Sequence, residues 1–225
     1  MTGPEVPLSE FSPVTAATRS LFNAAKRLSL QYWISRWKPD LVPRGDLATS
    51  QARDPEFARR RAPAIERYVI AWVVTIAVMV LTSWMVILPS PLRSIFAVVA
   101  ALRIIEVFQV AVNAALFDAL GKRRDEFVAS RSRMITLAGI NYLDFALSFS
   151  LIYSADLGRL HGADSYILTA YASFMTQLAV GYSDVYPTGW LRIVSVIQAL
   201  VSLAFVLLVL GRFIASLPRM QSVFD

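Results

Sequence analysis

The chain has 225 residues, 56% hydrophobic and 17% charged, with a mean hydropathy of +0.53 and a net charge of +6. A soluble domain carries about 25% charged residues, so the deficit marks an integral membrane protein, and the basic excess reads as charge flanking spans rather than a nucleic-acid surface. With no cysteine and one histidine, His161, disulfides, thiolate sites and histidine clusters are excluded, and neither an enzyme nor a cofactor is expected.

Residues 1–66 read as a basic, proline-punctuated cytosolic segment without the apolar core of a secretory signal. Within it, residues 15–38 suit an amphipathic helix: Leu21, Phe22, Leu28, Tyr32, Trp33 and Trp37 interleave with Arg19, Lys26, Arg27, Arg36 and Lys38. Such a helix lies on the inner membrane surface or packs on a neighbouring subunit. Leu41-Val-Pro-Arg44-Gly45 matches a thrombin recognition sequence and is set aside.

Residues 67–133 hold two peripheral spans and a basic loop. The first span is predicted at 68–88, with Trp72 and Trp84 as interfacial anchors, and Pro89-Ser90-Pro91 turns the chain. The second is predicted at 95–117, before Gly121-Lys122-Arg123-Arg124. On it Arg103 and Glu106, three apart, share a face. With Asn141 and Asp144 of the third span they form either a structural network or a functional intramembrane site. One arginine is not the repeated series of a voltage sensor, so voltage dependence should be weak at most. Asp118, Asp125 and Glu126 are read as solvated charge, with a cytosolic divalent cation as the alternative.

Residues 134–213 hold the third span, at 134–153, a non-spanning helix at 164–177, an extended stretch, and the fourth span, at 190–213; a short tail, 214–225, follows. Asp164 or Ser165 can cap the short helix, whose negative end favours a cation. Arginines 53, 59, 60, 61 and 67, the basic cluster at 122–133 and Arg219 fall on one side; only Arg93 and Arg159 fall on the other. The positive-inside bias then puts both termini in the cytoplasm and residues 154–189 outside a cell membrane crossed four times.

The run Thr176-Gln-Leu-Ala179-Val180-Gly181-Tyr182-Ser183-Asp184-Val-Tyr-Pro187, between two spans, resembles the pore loop of the tetrameric potassium-channel superfamily. The resemblance covers about residues 134–213. It implies an all-α membrane protein, four transmembrane helices with a re-entrant pore helix and filter loop, assembled as a homotetrameric pore among membrane lipids. It also implies a selectivity filter of Ala179, Val180, Gly181, Tyr182, Ser183 and Asp184, whose carbonyls replace the water shell of permeant Na⁺ and K⁺. Ala179 stands where the family has a Thr, Ser183 where it has a second Gly, and Leu178 where it has a further Thr. Tyr171-Ala172 stands where many members carry aromatics that hold the filter tyrosine, so Tyr182 is expected to lack that clamp.

These departures lead to the expectation of a monovalent cation channel that discriminates poorly between Na⁺ and K⁺. The alternatives are a K⁺-selective channel with a variant filter and a non-conducting subunit of another pore former. Asp184 either braces the filter or contributes to a ring of four carboxylates that draws cations, divalents included, to the mouth. On the fourth span Ser195, Gln198 and Ser202 share one face. They are expected to line the cavity, the alternative being hydrogen bonds to neighbouring helices. Phe205, Leu208 and Val209 continue that face as a candidate inner gate closing by dewetting.

Overall fold

At membrane depth every amide must find its partner within its own segment, so the long apolar runs fold as helices. A computed structural model describes residues 55–86, 88–112, 131–182 and 184–215. Its helices are α1 Pro55–Met85, α2 Ser90–Val112, α3 Arg131–Ser154, α4 Ile167–Gln177 and α5 Leu191–Ala215. A 3₁₀ turn, Leu157–Arg159, and two short strands, β1 Leu160–His161 and β2 Tyr186–Pro187, lie between α3 and α5. All but α4 are long and apolar enough to cross a membrane, which bears out an all-α membrane protein with four spans.

The helix boundaries follow local chemistry. Thr75 and Thr82 donate their hydroxyls to the carbonyls of Ala71 (2.8 Å) and Val78 (2.7 Å), which satisfies polar groups on the outside of α1. Pro89 ends the run, and its carbonyl accepts from the amides of Leu92 and Arg93 at the start of α2. Helix α1 begins at Pro55, inside the stretch expected to be cytosolic and separate. The expected amphipathic helix at 15–38, the acidic trio of the 118–126 loop and the end of the second predicted span lie outside the described residues.

Helix α3 is the centre of the subunit. On one side Leu151 meets Ile76, Val80 and Ala100 of α1 and α2. On the other Phe145 and Phe149 meet Ile104, Val107 and Phe205 of α2 and α5. Ala146 and Ala172, both fully buried, let α4 lie close against α3. Ser173 uses that proximity to donate to the Ala146 carbonyl at 2.7 Å, and Ser150 and Thr169 share a hydrogen bond of 2.9 Å. Outward-facing apolar side chains, among them Ile70, Val74 and Val78 on α1 and Ile95 and Val98 on α2, suit lipid rather than water.

Candidate ion-conducting site

A helix of eleven residues, α4, cannot span a bilayer, so the chain must leave on the side it entered. The strands on either side record that return: β1 and β2 pair antiparallel, Leu160 opposite Pro187 and His161 opposite Tyr186. The excursion between them is the re-entrant loop. Helix α4 starts at Ile167 rather than 164. Ser165, not the exposed Asp164, reaches its first turn, accepting from the Ile167 amide at 3.3 Å.

Beyond α4 the backbone loosens in a defined way. The amides of Ala179 and Val180 still bond back to the carbonyls of Thr176 and Met175, each at 3.2 Å. Ala179 then takes φ +53° and Gly181 φ +97°, so the chain alternates into the left-handed region. Glycine enters it freely, whereas Ala179 carries a Cβ there at a cost of about 1 kcal/mol. Leu178 to Tyr182 stand exposed at the subunit surface, Val180 at 65%. Ser183, which stands where the resembled family has a second Gly, lies outside the described residues; among the described residues the one non-glycine with positive φ is Ala179.

Tyr182 is not without a clamp, contrary to expectation. Its hydroxyl bonds the Thr176 hydroxyl, and Thr176 donates onward to the Ala172 carbonyl at 2.8 Å, so Tyr182 is the donor of the pair. Thr176 faces back from the last turn of α4, which puts it within reach of a side chain six positions on. Gln177, buried beside it, is locked to α3 reciprocally: its Nε2 donates to the Tyr142 carbonyl and the Tyr142 hydroxyl donates to its carbonyl at 2.9 Å.

The polar stripe of the fourth span faces the other way from the expectation. Ser195, Gln198 and Ser202 are all buried within the subunit, and Gln198, completely so, bonds α3 and α4. Ser195 donates to its own helix at the Arg192 carbonyl, 2.8 Å. Both a wet cavity and the back of a polar short helix attract such residues, and here α4 has Gln198. Phe205 is buried too, edge-on to Phe145 with ring centroids 5.0 Å apart, and so belongs to the subunit core rather than to a gate. Val209 packs on that same cluster, and Leu208 is half-buried. Between Ile193 and Leu210 every exposed residue of α5 is Ile, Val, Leu or Ala.

Arg103 and Glu106 do come together, within a network that joins three helices. The Arg103 Nε donates to Asp144 Oδ2 at 2.8 Å, and its terminal nitrogens reach Glu106 Oε2 at 3.4 Å and Asn141 Oδ1 at 3.5 Å. The Tyr68 hydroxyl donates to Glu106, and the Trp72 ring lies 5.3 Å from the guanidinium. All three charged side chains are at least 97% buried, as ionic groups at such depth require. The structural member of the two sequence readings is the one this geometry fits.

A frame of loop contacts surrounds the chain on either side of the re-entrant excursion. Asp156 Oδ2 accepts from Arg159 Nε at 3.0 Å and from Trp190 Nε1 at 2.9 Å, tying the end of α3 to the start of α5. Thr188 donates twice to the Arg159 carbonyl, each at 2.7 Å. Asp184 is exposed, and its carbonyl lies against Gly162. Sequence reasoning missed Tyr142, Tyr153, Ser173 and Gln177; their one signal was polar character in otherwise apolar segments.

Residues 140–218 match a family model described as "Ion channel", whose span takes in α4, the exposed stretch and α5. No curated protein and no solved structure matches the chain. Family match and fold agree: residues 140–218 are similar to an ion-channel domain, in a mostly helical membrane protein. That family is one of channels, not of enzymes.

Proposed function

We propose that four copies of the chain surround a common axis and conduct monovalent cations passively, with little discrimination between Na⁺ and K⁺. The observation that carries this reading is the exposed run Leu178 to Tyr182 at the end of a helix too short to span. Non-helical backbone at membrane depth survives only where protein buries it or water meets it, and a four-fold ring supplies both. Four sets of carbonyls from Ala179, Val180, Gly181 and Tyr182 then replace the water shell of a cation. The methyl group of Ala179 offers no oxygen to the innermost site, which weakens the discrimination that several well-spaced dehydrated sites would give.

With Ser195, Gln198 and Ser202 turned inward, only apolar side chains of α5 remain to face the axis below the filter. A passage lined in this way closes by dewetting without any side chain blocking it. Exposed Asp184, repeated four times, draws cations to the outer mouth, divalents among them. Charge asymmetry sets both termini on the cytoplasmic side of the cell membrane. One observation favours a second reading, a K⁺-selective channel: the bond from Tyr182 to Thr176 would keep the filter taut despite Ala179.

Passive uptake of radiotracer Na⁺ and Rb⁺ into liposomes holding only the purified protein tests conduction. Uptake of both ions is the expected result. Liposomes no leakier than empty ones would instead assign the chain to a non-conducting subunit of another pore.

A further inference from the structure

We infer that Gln198 is a positioning residue for the filter: its buried amide ties α5 to Tyr153 of α3 and to the back of α4, one turn before the Thr176 that holds Tyr182. This rests on the channel reading and adds to it a determinant of ion discrimination that touches no ion.

The amide sits fully buried in the middle of α5. Its Nε2 donates to the Ser173 carbonyl and to Ser173 Oγ, both at 2.9 Å, and approaches Gln177 Oε1 at 3.4 Å. Its Oε1 accepts from the Tyr153 hydroxyl at 2.8 Å. Only one orientation of the amide works. The Ser173 carbonyl can only accept, and the Ser173 hydroxyl already donates to Ala146, so the nitrogen must face both. Ser173 lies one turn before Thr176 on α4, the residue whose hydroxyl holds Tyr182.

The result is a polar chain from Tyr153 through Gln198 to the back of α4, running through apolar surroundings where each bond is worth more than in water and each orphaned partner costs more. The other two polar residues of the stripe do not share the task. Ser195 bonds its own helix, and Ser202 Oγ has no partner among the described residues. A displacement of α5 therefore reaches Ser173 through Gln198 and, along the last turn of α4, the Thr176 that holds Tyr182.

The test is the permeability of methylammonium relative to K⁺, from reversal potentials in planar bilayers, for the wild type, Gln198→Met, Tyr153→Phe and Ser83→Ala. Reversal potentials report on channels that conduct, so a loss of folded protein alone does not move them. Gln198→Met keeps the volume and removes both polar ends; Tyr153→Phe removes one oxygen. Each should change the ratio threefold or more, with the double variant no further displaced than the larger single one, because both cut one chain. Ser83, a buried serine of α1 whose Oγ has no partner among the described residues, should leave the ratio unchanged. Unchanged ratios in the conducting variants would overturn the inference, and Tyr153→Phe decides it alone if Gln198→Met does not assemble. A silent wild type would overturn the channel reading, and this inference with it.

Discussion

At Gly162 a side chain is excluded by the backbone of Asp184. A Cβ built there would stand 2.2 Å from the Asp184 carbonyl oxygen, and the residue's φ of +74° favours glycine as well. Gly162→Ala must therefore push the Asp184 segment away, at a cost of about 1–3 kcal/mol by analogy with overpacked cores. The expected outcome is a lower thermal midpoint and reduced single-channel conductance; wild-type values for both would contradict it. Ala179 poses the converse problem. Restoring a threonine there would return the hydroxyl that the family places at the innermost site, but it would force a β-branched side chain to φ +53°. Ala179→Thr should destabilise the purified protein by about 1 kcal/mol or more, whereas Ala179→Gly, which the backbone accepts, should not. A threonine variant as stable as wild type would mean that the backbone had moved to accept it.

Between elements, the Arg103 network and the Gln198 network hold different parts of the subunit. The first joins α1, α2 and α3 and involves no residue of the loop. Removing its one cation leaves two buried carboxylates without it, so Arg103→Ala should cost about 3–5 kcal/mol in unfolding experiments. Adding Asp144→Asn and Glu106→Gln should recover much of that loss. A destabilisation that the added amides do not relieve would show that packing, not charge, was lost. The four spans were legible because runs of about twenty mostly apolar residues admit few interpretations, and the likeness to an ion-channel domain was legible from Val180-Gly181-Tyr182 between two spans. The orientation of α5 was not. Helical spacing puts Ser195, Gln198 and Ser202 on one face, but it cannot say whether water or another polar helix meets that face. Phe205 went astray with them, being on the same side. Thr176 was visible in the sequence, yet its bond to Tyr182 depends on the turn of backbone at Ala179 and Gly181, which spacing alone does not disclose.

For the whole molecule, the subunit is complete in its core and incomplete at its surface. Among the described residues the Arg103 and Gln198 networks close within one chain, while the stretch from Leu178 to Tyr182 and a wholly apolar face of α5 stand open. Those surfaces are where copies of the chain would meet. Native mass spectrometry from detergent should accordingly give a particle of four times the 25.0 kDa subunit mass; a stable monomer or dimer would remove the ring on which conduction depends. The most direct test of the central claim is the bi-ionic reversal potential of the purified protein in planar bilayers, K⁺ on one side and Na⁺ on the other. The account predicts a potential near zero. A potential of K⁺ sign corresponding to a permeability ratio above about ten, a difference of about 1.4 kcal/mol between the two ions, would contradict it and establish an intact K⁺ filter built around Ala179.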